Sequence, residues 1–209
     1  VAISLILLLA SGYIAYTRQL LPLTIVGAIG GLIVAIVTMF KKQWSPITVP
    51  IYSLLQGLFL GGISYIFNQL YEGIVLQAVL LTGAILFSLL FAYKSGLIKA
   101  TENFKLGVAA ATGGIFIVYM ISFVMSFFGS DLPILDINNS SLISIGFSLF
   151  VVVIASLNLV LDSDFIEQGA EMGAPKYMEW YGAFGLLVTL IWLYLEILRL
   201  LAKLSSRRK

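Results

Sequence analysis

Long apolar runs, separated by short polar segments, make up almost the whole chain. They cover approximately residues 1–17, 20–40, 47–70, 74–93, 106–128, 141–161 and 183–203. About 20 residues of helix span the hydrocarbon core of a bilayer, and no run alternates polar and apolar positions as barrel strands do. The pattern therefore predicts an all-α polytopic membrane protein, with residues 1–209 forming a single seven-helix transmembrane domain. The first run starts at Val1 rather than at a methionine, so we expect further residues to precede it.

Two of the runs contain glycine motifs of the small-xxx-small type. The first is Gly27-Ala28-Ile29-Gly30-Gly31, and the second is Gly57-Leu58-Phe59-Leu60-Gly61-Gly62. Such motifs let two helix backbones approach closely in lipid. They predict either packing inside the bundle or a face that captures another membrane protein, and the sequence leaves both open.

The amino-acid composition restricts the kinds of binding and catalysis that the protein can perform. Only 11% of the residues are charged, against about 25% in soluble domains, which supports the membrane assignment. A net charge of +2 does not favour binding to nucleic acid. The chain has no cysteine and no histidine, which excludes disulfides, thiolate nucleophiles, histidine-dependent zinc sites and the serine–histidine triad. We expect no enzymatic activity and no cofactor, and any metal ion must be a hard cation held by oxygen ligands, such as calcium.

Two acidic residues stand out because of where they lie in the apolar runs. Glu196 is inside the last run, and Asp162 closes the sixth, followed by Asp164 as an alternative. An acid within a membrane-length segment costs about 2.5 to 3.5 kcal/mol on insertion scales, which makes it a candidate functional residue. Two carboxyls held together at low dielectric cannot both ionise, so such a pair would form a pH-sensitive latch or a cation site. Alternatively, Arg199 lies three residues after Glu196 on the same helical face and neutralises it.

Three segments resemble the Bax inhibitor family, the transmembrane Bax inhibitor motif proteins with their YccA-type bacterial members. They are Leu161-Asp162-Ser163-Asp164-Phe165-Ile166, Leu193-Tyr194-Leu195-Glu196-Ile197 and Gln56-Gly57-Leu58-Phe59-Leu60-Gly61. The resemblance implies a seven-helix bundle with the last helix central, in the bacterial cytoplasmic membrane. It also implies a pH-sensitive calcium leak gated by Asp162 and Glu196, both of which could contact calcium. The basic residue that pairs with the first acid would be Lys41 or Lys42.

The chain departs from the family pattern in two respects. The second acid is Glu196 rather than an aspartate, and the loop expected at residues 163–182 is unusually long. The alternative function is a non-conducting membrane regulator that binds a membrane protease or a stress-response partner. An intramembrane aspartyl protease also uses two acids on neighbouring spans, but its G-x-G-D motif is missing from this sequence.

Overall fold

The computed structural model describes residues 1–208 and is built from helices throughout. Seven α-helices are present in that range, together with two short 3₁₀ helices at Lys42–Trp44 and Pro133–Leu135. The α-helices are α1 Ala2–Thr17, α2 Leu21–Phe40, α3 Ser45–Leu70, α4 Ile74–Lys94, α5 Glu102–Phe127, α6 Leu142–Glu171 and α7 Tyr177–Arg208. Six of the seven are long and apolar enough to cross a membrane, and α1 is an apolar helix of 16 residues. The predicted all-α membrane fold is confirmed, while the central position of the last helix stays a prediction.

The main error of the sequence-based boundaries concerns the last two helices. The apolar run of α6 ends at residue 161, but the helix continues to Glu171, and α7 already begins at Tyr177. The loop expected at residues 163–182 therefore shrinks to residues 172–176, where Gly173 turns the chain with a φ of +65°. Polar side chains end the apolar pattern of the sequence, but the backbone hydrogen bonds of the helix continue past them. Within this polar part of α6, the Gln168 side-chain amide donates a hydrogen bond to the Asp164 carboxylate one turn earlier, at 2.6 Å.

The helices form two compact units, which are described separately. The first comprises Val1–Val75 and Asp162–Ile191, and the second comprises Leu76–Leu161 and Trp192–Lys209. Because the divisions fall inside α6 and α7, each of these two helices contributes to both units.

In the first unit, α3 packs against both α1 and α2 through its glycines. A Cβ at Gly57 would lie 1.7 Å from the Ser11 hydroxyl oxygen of α1, and one at Gly62 would lie 1.7 Å from the Thr24 hydroxyl oxygen of α2. Only glycine permits helices to approach so closely. Both glycine motifs of the sequence thus serve packing within the unit, since Gly27 of α2 likewise lies against the backbone of α3.

In the second unit, α5, α6 and α7 surround a small apolar core. Three buried side chains, Ile115, Val151 and Ile154, form its centre; Ala111, Tyr119, Phe147 and Trp192 pack around them. Asn158 of α6 adds a polar contact between two helices, since its side-chain amide donates a hydrogen bond to the Thr112 hydroxyl of α5 at 2.8 Å. α5 itself begins where the Thr101 side chain accepts a hydrogen bond from the Phe104 backbone amide, at 3.3 Å.

Candidate functional site

Asp162 lies on the wall of a cavity in the first unit. The cavity has a volume of about 730 Å³ and is bordered by α2, α3, α6 and α7. The Thr189 side chain lies beside the Asp162 carboxyl on this wall. Its Oδ2 atom is buried and has no hydrogen-bond partner among residues 1–208. A Cβ at Gly185 would lie 3.4 Å from Oδ1, so α7 brings only backbone close to the carboxyl at this position. The structure thus contains a carboxylate whose hydrogen bonding is incomplete.

The cavity wall is mainly carbon, with a few oxygen-bearing side chains. Those that carry oxygen are Tyr52, Gln56, Asp162, Tyr181 and Thr189. Within residues 1–208 no three acidic side chains lie together as a metal site. Calcium takes six to eight oxygen ligands, so calcium at Asp162 would have to complete its coordination with neutral oxygens or water.

The two lysines considered as partners of Asp162 lie at the turn between α2 and α3. Lys41 ends α2 and is exposed. The Lys42 ammonium lies over the Tyr181 ring, 5.0 Å from its centroid. In the described part of the chain no ion pair joins either lysine to Asp162. The Lys42 charge therefore lies against an aromatic ring of the cavity wall.

Asp164, the alternative acid, does not border the cavity. Its hydrogen bond to Gln168 lies on an exposed part of α6. The helical periodicity explains the difference, because residues two apart in a helix point in different directions.

Glu196 lies in the second unit, where two neighbouring side chains hold it. Its carboxylate is buried and accepts hydrogen bonds from the Tyr119 hydroxyl and from Arg199 Nη1, the latter at 3.1 Å to Oε1 and 3.3 Å to Oε2. The Arg199 guanidinium also lies 5.6 Å from the centroid of the Tyr119 ring. The pair predicted from the spacing of Glu196 and Arg199 is therefore present. Asp162 and Glu196 belong to different units, and the latch between them stays a prediction.

Sequence reasoning missed Lys203, which was expected at the polar end of the last span. Lys203 lies near the end of α7, and its side chain is completely buried. The ammonium donates to the Ile134 carbonyl at 2.7 Å, the Ser144 carbonyl at 3.2 Å and the Ser148 hydroxyl at 2.8 Å. The sequence did contain an indication that Lys203 lies on the same helical face as the buried acid, because it follows Glu196 and Arg199 at spacings that place all three on one side of the helix.

Comparison with known proteins gives one match. A family model described as Bax inhibitor 1 like matches residues 1–206, which include both cavity-lining Asp162 and buried Glu196. No curated protein and no solved structure matches the chain.

Proposed function

Because the chain belongs to the Bax inhibitor 1 like family and is an integral membrane protein, we propose that it is a passive, pH-sensitive leak for cations, with calcium as the main candidate. The observation that carries this proposal is the Asp162 carboxyl, which borders a cavity and has an oxygen without a hydrogen-bond partner among residues 1–208. In this proposal Asp162 is the acid that a passing cation meets.

The physical argument rests on the cost of an uncompensated charge. A carboxylate removed from water is unfavourable unless it gains a proton, a cation or hydrogen bonds. The Thr189 hydroxyl beside Asp162 can donate at most one hydrogen bond, so a proton and a cation compete to compensate the remaining charge of the carboxylate. Lower pH should favour the protonated, non-conducting form. The other titratable groups on the cavity wall are Tyr52 and Tyr181, and Lys42 is the charge held at Tyr181.

Glu196 has a different part in this proposal. Arg199 and Tyr119 already compensate its charge, so it has less need of a cation. We therefore assign the titrating role to Asp162 and treat Glu196 as a fixed ion pair. A two-acid gate of Asp162 and Glu196 remains the alternative within the same function.

The first prediction concerns calcium flux into liposomes that contain a calcium-sensitive dye and the purified protein. Wild-type flux should fall as the pH is lowered. Asp162→Asn should lower flux by about tenfold, the factor that 1.4 kcal/mol of lost stabilisation produces, and should abolish the pH dependence. The matched control is Asp164→Asn, which removes a nearby acid that does not border the cavity, and it should behave as wild type.

Two outcomes would contradict this assignment. Unchanged flux in Asp162→Asn at every pH would remove Asp162 from the pathway, and an equal loss in Glu196→Gln would favour the two-acid gate.

A wild type that conducts no better than empty liposomes would leave the non-conducting regulator with a protease or stress-response partner. The glycine motifs do not support that alternative, because Gly57 and Gly61 are covered by α1 and are not free to bind a partner. The bacterial cytoplasmic membrane remains the proposed location.

A further inference from the structure

Four aromatic side chains form a connected cluster on the wall of the Asp162 cavity. The Tyr52 and Phe184 rings meet edge to face with centroids 5.0 Å apart, and Phe165 and Tyr181 meet in the same way at 6.3 Å. Tyr181 and Phe184 join the two pairs, with centroids 6.1 Å apart. All four residues border the cavity. The wall thus combines aromatic surface with a single carboxyl.

This cluster already attracts a positive charge. The Lys42 ammonium lies 5.0 Å from the centroid of Tyr181, within the range of a cation–π interaction. Aromatic rings beside an acid are the usual surroundings of organic ammonium ligands, because the ring faces and the carboxylate both stabilise the cation.

The size and polarity of the cavity restrict the kind of ligand further. Its volume of about 730 Å³ lies within the range of small-molecule sites, about 300 to 1,000 Å³. Asp162 is the one charged residue on the described wall. A small inorganic ion could not fill this space or cover its carbon surface. Two wall residues, Leu32 and Met39, are exposed, so the cavity is open to a ligand on the α2 side.

We propose that this cavity binds organic monocations with a bulky aromatic or alkyl body, such as quaternary phosphonium or ammonium ions. The charge lies beside Asp162 and the body lies against Tyr181 and Phe184. This site goes beyond the cation leak and does not require it, because binding needs no conduction. A bound organic cation would occupy the acid that an inorganic cation meets.

The test measures binding of tetraphenylphosphonium to the full chain purified in detergent, by equilibrium dialysis. Saturable binding of one cation per chain is expected. Tetraphenylborate, which has the same shape and the opposite charge, should show no saturable binding. Asp162→Asn should weaken phosphonium binding by about thirtyfold, as expected when one partner of a buried charge pair is removed. Asp162→Glu should retain binding, and Asp164→Asn should match wild type.

A second variant tests the cavity without touching the acid. Ala35 borders the cavity, and Ala35→Phe should narrow it and weaken saturable binding. If Asp162→Asn fails to give folded protein, this variant and the borate control decide the question. Undiminished binding in Ala35→Phe, or equal binding of the borate, would overturn the proposal in favour of partition into detergent. Because the readout is binding, a failure here is distinct from a failure of calcium flux.

Discussion

Alanine at Gly57 is expected to destabilise the protein by about 3 kcal/mol, at the upper end of the cost of overpacking a core. The new Cβ would lie 1.7 Å from the Ser11 hydroxyl oxygen and 2.4 Å from the Leu8 carbonyl oxygen. The Ser11 side chain can rotate away, but the Leu8 oxygen is backbone, so α1 must move away from α3. The loss should appear as a lower midpoint of thermal unfolding in detergent, followed by helical circular dichroism.

The chain offers a matched control for this substitution in α5. A Cβ at Gly113 would meet nothing within 4 Å, so Gly113→Ala adds the same methyl group without a clash. Alanine is favoured over glycine inside a helix by about 1 kcal/mol, and the control should therefore be neutral or stabilised. In the double variant Ser11→Gly with Gly57→Ala, only part of the stability should return, because the Leu8 carbonyl remains. Equal unfolding midpoints for Gly57→Ala and Gly113→Ala would contradict the close packing of α1 and α3.

Much of the helix assignment followed from the sequence, since apolar runs of membrane length have few other stable solutions. The ends were harder to predict. Asp162 and Asp164 interrupt the apolar pattern, yet they lie well inside α6, which ends only at Glu171. Hydropathy reports where a span is apolar, whereas the helix ends where its backbone hydrogen bonds end. The glycine motifs predicted close packing, but not whether the opposing surface was part of the same chain.

In the candidate sites, contacts within one helix were predictable from the sequence, whereas contacts between residues distant in the chain were not. The Glu196–Arg199 pair was predictable because both residues lie on one helix, three positions apart. Tyr119, the other partner of Glu196, is 77 residues away in the chain, and no sequence pattern indicates that contact. The partners of Lys203 include two backbone carbonyls, which any residue could supply. The cavity at Asp162 was not predictable, because it arises from helices that are distant in sequence.

Methionine at Arg199 is expected to destabilise the protein more than glutamine at Glu196. The Glu196 side chain is only 4% exposed, whereas that of Arg199 is 29% exposed. Arg199→Met leaves a buried carboxylate with the Tyr119 hydroxyl as its remaining partner, and removal of one member of a buried pair costs about 3 to 5 kcal/mol. Glu196→Gln leaves a cation that can extend outward along its flexible stem, and about 1 kcal/mol is expected.

A double-mutant cycle of these two substitutions separates the pair from its surroundings, with unfolding midpoints in detergent as the measurement. The double variant should be more stable than Arg199→Met alone, because no unpaired carboxylate remains. Acidification should reduce the deficit of Arg199→Met, since a protonated Glu196 carries no buried charge. A larger loss in Glu196→Gln than in Arg199→Met would contradict this order. Such a result would mean that Arg199 depends on the pair more strongly than Glu196 does.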